Sequence, residues 1–179
     1  MTVWAPDEHR PGLPPVIRRV GAPRGRRPVA PVRRRVARLD VDGSVRPATG
    51  QSWWCRLPSV SAEAFGRARA AVARDAGIGP DRRAVLALDR AGWHLAKDPA
   101  VPAGGHVAFL PPSSPELPPA ERVWSLVDEP VANRTVADRD EPAAVLAQRC
   151  RTLEADRRPL TAHTRFHWWP RERRPRRRE

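Results

Sequence analysis

Residues 83–134 read RAVLALDRAGWHLAKDPAVPAGGHVAFLPPSSPELPPAERVWSLVDEPVANR. Two short apolar runs stand out, Ala84–Leu88 and His106–Leu110. The first ends on an acid, Asp89, and the second at Pro111-Pro112. Short apolar runs bounded by turn residues predict buried parallel strands. Pro118-Pro119-Ala120-Glu121 then opens a helical pattern, with proline suited to a first helical turn. Open α/β sheets place their ligands at the carboxyl ends of parallel strands. Asp89 and Glu121 are thus expected to face one another across a cleft.

Working outward, Thr2–Ala5 predicts a first strand running into Asp7-Glu8. Pro6, with no backbone donor, should end its pairing or sit at an edge. Val36–Val41 alternates and predicts a second strand, with Asp42-Gly43 as a turn, Asp42 its turn residue and Asp40 facing solvent. Gln51–Leu57 predicts a third strand, antiparallel to the second. Ser61 is a good N-cap, and Phe65, Ala68, Val72 and Ala76 recur at helical spacing until Gly77 closes the helix. Pro142 starts a last helix with Leu146, Cys150 and Leu153 on its inner face. Beyond Pro159 the pattern fades. The order is strand, strand, strand, helix, strand, strand, helix, helix. Three early strands able to pair antiparallel, followed by crossovers, match an α/β fold of the ribonuclease H-like kind: a mixed five-stranded sheet with flanking helices. The expected domain is 1–160, with a basic arm or ribbon at 10–39 inserted and a basic C-terminal tail at 161–179.

Three acids stand at element boundaries: Asp7 after the first strand, Asp89 after the fourth and Glu121 at the start of a helix. Hard divalent cations prefer clustered carboxylate oxygens, and a pair of ions clamps both the attacking and leaving oxygens of a phosphoryl transfer. Helix N-terminal amides favour a negative group at Glu121. The plainer reading makes each acid a cap or a surface charge. Glu116, in a proline-bounded loop, ranks below Glu121.

The chain of 179 residues is long enough for one domain with a real core. Its net charge of +13 is unevenly spread: residues 10–39 hold ten arginines and no acid, and residues 171–179 hold six arginines and two glutamates. The remainder is close to neutral, so a domain carries two cationic segments, which suggests a polyanion partner; solvated tails are the plainer alternative. Arginine binds phosphate through a planar fork. The arm's Arg18, Arg19, Arg24, Arg26, Arg27, Arg33, Arg34 and Arg35 are the candidate contacts to the backbone of such a polyanion, with Lys97, the single lysine, a plausible phosphate contact. Such contacts carry no sequence information. Trp93 and Trp124 read as core. Trp168 and Trp169 can stack on bases, but packing back onto the domain is the better reading. His94, five positions after Asp89, reads equally as a group near the acids or as a loop hydrogen bond. Cys55 and Cys150, without a CxxC or a neighbouring histidine, read as reduced core thiols of a cytosolic protein. No apolar signal core or membrane-length run is present, so the expected location is cytoplasmic and nucleoid-associated, away from membranes.

The block LDRAGWHLAKD…VAFLPPSSPELPPAERVW resembles the catalytic half of bacterial insertion-sequence transposases of the mariner-related DDE superfamily. WAPDEHRPGL is similar to that family's first-acid segment, VGAPRGRRPVAP to its basic stretch, and EPVANR and FHWWP to its C-terminal blocks. The resemblance implies a catalytic Asp-Asp-Glu triad. By motif these are Asp7 in APDEHR, Asp89 in LDRAGWH and Glu121 in PPAER, the last two 32 positions apart. It further implies two Mg²⁺ or Mn²⁺ ions, hydrolysis of a phosphodiester at the element end, and attack of the freed 3′-hydroxyl on target DNA. The chain departs from the family at Ser113, where tyrosine is common, at Pro118, where asparagine is common, and at Pro6. The family's N-terminal helix-turn-helix has no counterpart here, which leads to the expectation of a second reading frame or truncated copy, with a separately encoded helix-turn-helix protein and a possible homodimer as partners. The function expected is a metal-dependent DNA transposase catalytic domain. The alternatives are a decayed, non-catalytic DNA-binding fragment and a stand-alone nuclease for RNA–DNA hybrids.

Overall fold

The computed structural model describes residues 1–11, 16–29, 39–57, 61–89, 101–112, 114, 116–133 and 140–172, the stretch 140–142 by its backbone alone. Five strands form one sheet: β1 (Thr2–His9), β2 (Asp40–Arg46), β3 (Gln51–Leu57), β4 (Ala84–Leu88) and β5 (Gly105–Phe109). Their spatial order is β3-β2-β1-β4-β5. The first three strands pair antiparallel, while β4 runs parallel to both β1 and β5. Helices α1 (Ala62–Asp75), α2 (Pro119–Val127), α3 (Asp140–Ala155) and α4 (Arg158–Thr164) flank it. This is the mixed five-stranded α/β arrangement expected from the element order.

The period-2 alternation of β1 distributes its side chains between two layers. Trp4 packs with Ala76, Ala84 and Leu86 beneath the end of α1, while Leu57 meets Phe65 and Ala68 of that helix. Val3 and Ala5 point the other way, into the main core with Val41, Val45 and Ala87 and with residues of α2, α3 and α4. Helix α1 begins as expected: the Ser61 hydroxyl accepts from the Ala64 N–H at 3.1 Å. It ends in a Schellman arrangement, Ile78 N–H to Ala73 O at 2.7 Å and Gly77 N–H to Arg74 O at 3.1 Å, with Gly77 at φ +64°. Leu146, Cys150 and Leu153 of α3 are buried as their spacing predicts.

Several expectations are corrected. Pairing does not stop at Pro6: the ladder with β2 continues to His9. It is the β4 ladder that ends at Trp4, so the donor missing from Pro6 falls where β4 has already left the strand. Asp42-Gly43 is not a turn but the middle of β2, with Gly43 between Asp7 and Trp54 in the register. The turn lies at residues 47–50 instead. Asp40 does not face solvent; it is buried, with Arg10 Nε at 3.5 Å. Asp42, also buried, stands beside Arg69 of α1, as does Glu8. The second apolar run is a parallel strand but an edge one, and its Phe109 is exposed.

The folded body also reaches past position 160. α4 buries Leu160 and Thr164, and Trp169 joins the main core. Glu172 accepts from the Val3 N–H at 3.0 Å and pairs with the Arg46 guanidinium, Nε to Oε1 at 2.9 Å. Both partners of that ion pair are largely shielded from solvent. Cys55 and Cys150 are both free thiols, and burial pushes Cys150 up to about 12. Among the described residues no helix is long and apolar enough to cross a membrane.

Candidate active site

The alternation that sends Val3 and Ala5 toward α2 carries Asp7 and His9 to the same face. On β4 the same rule puts Val85 and Ala87 on that face, and Asp89 follows one residue after the strand. Because β1 and β4 are parallel, their carboxyl ends, with Asp7 and Asp89, lie at one edge of the sheet. Helix α2 packs across that face, with Ala120, Val123, Trp124 and Val127 buried in the main core. Glu121, in its first turn, is left on the exposed side.

Asp7 and Glu121 are both pushed above the ordinary carboxylate range. Burial pushes Asp7 up to about 7, and the Glu121 charge adds to the rise. Burial raises Glu121 too, with the Asp89 charge next in effect, while His9 opposes it. So Glu121 couples to both aspartates. Two hydrogen bonds hold the Asp7 carboxylate in place and partly offset its burial: Trp124 Nε1–H donates to Oδ2 at 2.8 Å and the Glu8 N–H donates to Oδ1 at 2.8 Å.

Trp124 is itself fixed from several sides. His9 stacks on it with ring centroids 4.8 Å apart and planes at 18°. The His9 Nε2 lies 2.9 Å from both carboxylate oxygens of Asp128, the C-cap of α2. Trp54 meets the same indole edge-on at 5.8 Å. Gly43 makes room for both rings: a Cβ there would lie 2.7 Å from Trp124 and 3.0 Å from Trp54. The glycine read as a turn signal is thus a close-approach site.

Sequence reasoning placed Asp7, Asp89 and Glu121 at element ends; Asp89 does follow β4 and Glu121 does open α2, whereas Asp7 lies within β1, paired with Gly43. It treated Trp124 as core only, whereas its polar edge serves Asp7. It missed His9 and Asp128; the available signal was parity, since Asp7 and His9 share one strand face. Glu116 is exposed. Of the basic candidates, Arg19, Arg24, Arg26 and Arg27 are exposed and Arg18 is half-buried. Arg33, Arg34, Arg35, Lys97, Trp93 and His94 lie outside the described residues.

Among the described residues no three His, Cys, Asp or Glu side chains are drawn together closely enough to enclose a metal ion as they stand. The donor chemistry nevertheless suits a hard cation, because an all-oxygen set in which Glu121 raises Asp7 and Asp89 raises Glu121 is relieved by positive charge.

A mixed sheet of this order, with acids toward the carboxyl ends of β1 and β4 and at the head of α2, defines a ribonuclease H-like domain. Residues 2–141 match the DDE superfamily endonucleases, and the chain belongs to that family. A protein of Sinorhizobium fredii (strain NBRC 101917 / NGR234), described as uncharacterized protein y4pE/y4sA, is 39% identical over 100 residues, covering 55% of this chain and 73% of that protein. Among solved structures, the mariner Mos1 paired-end complex with Mg superposes with a TM-score of 0.62 at 14% identity, over 92% of this chain and 50% of that one. The Mos1 paired-end complex with Mn gives 0.57 at 12% identity, over 90% and 55%. The complex of Mos1 transposase with the left transposon end gives 0.56 at 12% identity, again over 90% and 55%. The chain spans about half the length of these transposases, and the likeness is one of fold.

Proposed function

We propose that this chain is the catalytic domain of a DNA transposase, hydrolysing a phosphodiester at an insertion-sequence end and joining the freed 3′-hydroxyl to target DNA. The observation that carries the reading is geometric: Asp7 and Asp89 lie toward the carboxyl ends of the parallel strands β1 and β4, and Glu121 stands in the first turn of the helix packed across that face. Membership of the DDE endonuclease superfamily supports it.

Asp7, Asp89 and Glu121 would hold two Mg²⁺ or Mn²⁺ ions. Once bound, the ions supply an activated water and neutralise charge on the attacking and leaving oxygens. The chain's own residues prepare the place. Trp124 and the Glu8 amide fix the Asp7 carboxylate, so that its rotamer is set before a cation arrives. The half-buried setting of Asp7 lowers the local dielectric and strengthens its attraction for positive charge. Glu121 stands at the positive end of the α2 dipole, which favours its ionised form. Arg18, Arg19, Arg24, Arg26, Arg27, Arg33, Arg34, Arg35 and Lys97 are the proposed contacts to the DNA backbone. Work on paired ends would call for two copies of the chain and a helix-turn-helix to read the terminal repeat.

Purified protein is expected to nick duplex DNA only with Mg²⁺ or Mn²⁺, and Asp89→Ala is expected to abolish the nicking. Unchanged nicking in that variant removes Asp89 from the catalytic set. A second reading, a non-catalytic DNA-binding fragment, draws on the exposed Arg19, Arg24, Arg26 and Arg27 of the arm. It predicts salt-sensitive DNA binding and no cleavage with any metal. A strand-transfer assay on a short duplex separates the two.

A further inference from the structure

The EPVANR motif plays no part in the site above, yet its asparagine has an unusual setting. Asn133 has φ +55°, the one positive φ at a non-glycine among the described residues, a conformation asparagine tolerates better than most. From that position it grips the start of the arginine arm. Its backbone N–H donates to Val16 O at 2.9 Å. Its carboxamide then pairs with both polar groups of one residue: the Arg18 N–H donates to Oδ1 at 2.9 Å, and Nδ2 donates to Arg18 O at 3.0 Å. This is the two-point pairing that a neighbouring β-strand would offer, supplied by a side chain 115 positions away.

The grip decides where the charge goes. With its backbone held, Arg18 lays its guanidinium on α2, donating from Nη2 to Ser125 O. Ser125 follows Glu121 by four residues, so the two share one helix face. Arg122, next to Glu121, stacks its guanidinium on Phe166 with 4.4 Å from Cζ to the ring centroid. Phe166 in turn stacks on Trp168 at 5.2 Å, and Trp168 is 40% exposed. Two cations and an exposed indole therefore line the open side of α2 beside a candidate catalytic acid. Arginines interleaved with aromatics are how proteins hold a nucleic-acid backbone while offering bases a stacking surface.

We infer that Asn133 is a positioning residue that docks the arginine arm onto α2, and that the docked strip from Arg18 to Arg122 and Trp168 seats the DNA backbone leading into the site. The inference rests on the DNA-directed reading above. It adds that the arm is a fixed contact in register with Glu121, where a loose cationic tail would bind without register.

The test uses the full chain and a short fluorescent duplex of mixed sequence. Asn133→Gly keeps the backbone N–H and relieves the positive φ, but removes both carboxamide bonds. Expected are duplex binding weaker by roughly 5- to 30-fold, a salt dependence shallower by about one ion or more, and tryptic cleavage after Arg18 or Arg19 faster by roughly tenfold, with cooperative thermal unfolding retained. Wild-type affinity and salt slope in this variant, or unchanged cleavage, overturns the anchoring role. If Asn133→Gly does not fold, Arg18→Gln decides: a slope shallower by about one supports the seat, and an unchanged slope overturns it. Should the wild-type chain bind no duplex, the DNA-directed reading fails and the seat with it. Salt-dependent binding without metal-dependent nicking removes the catalytic reading alone.

Discussion

Trp124 Nε1 donates a 2.8 Å hydrogen bond to Asp7 Oδ2 across 117 positions of sequence. Through it, a core residue of α2 sets the orientation of a carboxylate carried within β1. The contact joins packing to chemistry, since whatever moves the indole moves the acid.

Trp124→Phe keeps most of the ring and deletes the donor. The lost bond favoured the charged form of Asp7, so its proton affinity should rise further and its affinity for cations should fall. Supporting hydrogen bonds to metal ligands typically carry about 10- to 100-fold in affinity or activity. The expected result is a higher Mg²⁺ requirement for nicking at similar folded-state secondary structure. A metal titration of wild type and variant checks it.

Gly43→Ala should disturb the same bond from the other side. The new Cβ would lie 2.7 Å from Trp124 and 3.0 Å from Trp54, closer than either ring can accept without shifting. Overpacking of this kind costs about 1–3 kcal/mol. Thermal unfolding should show that loss, together with a raised metal requirement. Unchanged values for both would mean that the rings move aside without effect on Asp7.

In metal-free protein, Asp7 should make stability fall as pH rises from about 4 to about 7. Burial raises its pKa from 3.8 to about 7, so in that window the folded chain holds a proton that the unfolded chain has released. The slope from this group is at most about 1.4 kcal/mol per pH unit, and Asp7→Asn should flatten it. Divalent cations should stabilise the protein more at pH 8 than at pH 5, because protonated Asp7 competes with the metal. Calorimetry across that range, with and without Mn²⁺, tests both signs.

Glu172 should act in the opposite direction at lower pH. Burial acts to raise its pKa, but the Arg46 hydrogen bonds and the Val3 N–H outweigh it and leave the group below its ordinary value. Its contribution is therefore present above the unfolded pKa of about 4.5 and lost as the solution becomes more acidic. Glu172→Gln should cost about 1–3 kcal/mol at pH 7 and progressively less as pH falls. A constant difference across the titration would show that the charge of Glu172 plays no part.

The elements that were legible are those whose signal is local. Ser61, the Phe65–Ala68–Val72 spacing and Gly77 mark α1 because capping and helical periodicity act within a few residues. Ala84–Leu88 and Gln51–Leu57 read as strands from their composition and boundaries. Asp42-Gly43 misled for the same reason. The pair satisfies a local turn preference, but the core spends Gly43 on letting Trp54 and Trp124 close over β2. Helix α4 has weak local periodicity, and its place is held by distant partners, with Leu160 and Trp169 in the main core.

By itself the sequence determined the order of elements from β1 to α3 and placed Asp89 just after β4 and Glu121 in the first turn of α2, since strand alternation, caps and prolines act over one or two turns of chain. Only the tertiary structure decided which polar groups meet the acids and the arm: Trp124 on Asp7, His9 between Trp124 and Asp128, Asn133 on Arg18. Each of these contacts joins residues more than a hundred positions apart. It exists because two packed layers bring particular side-chain faces together, which no local pattern of residues encodes.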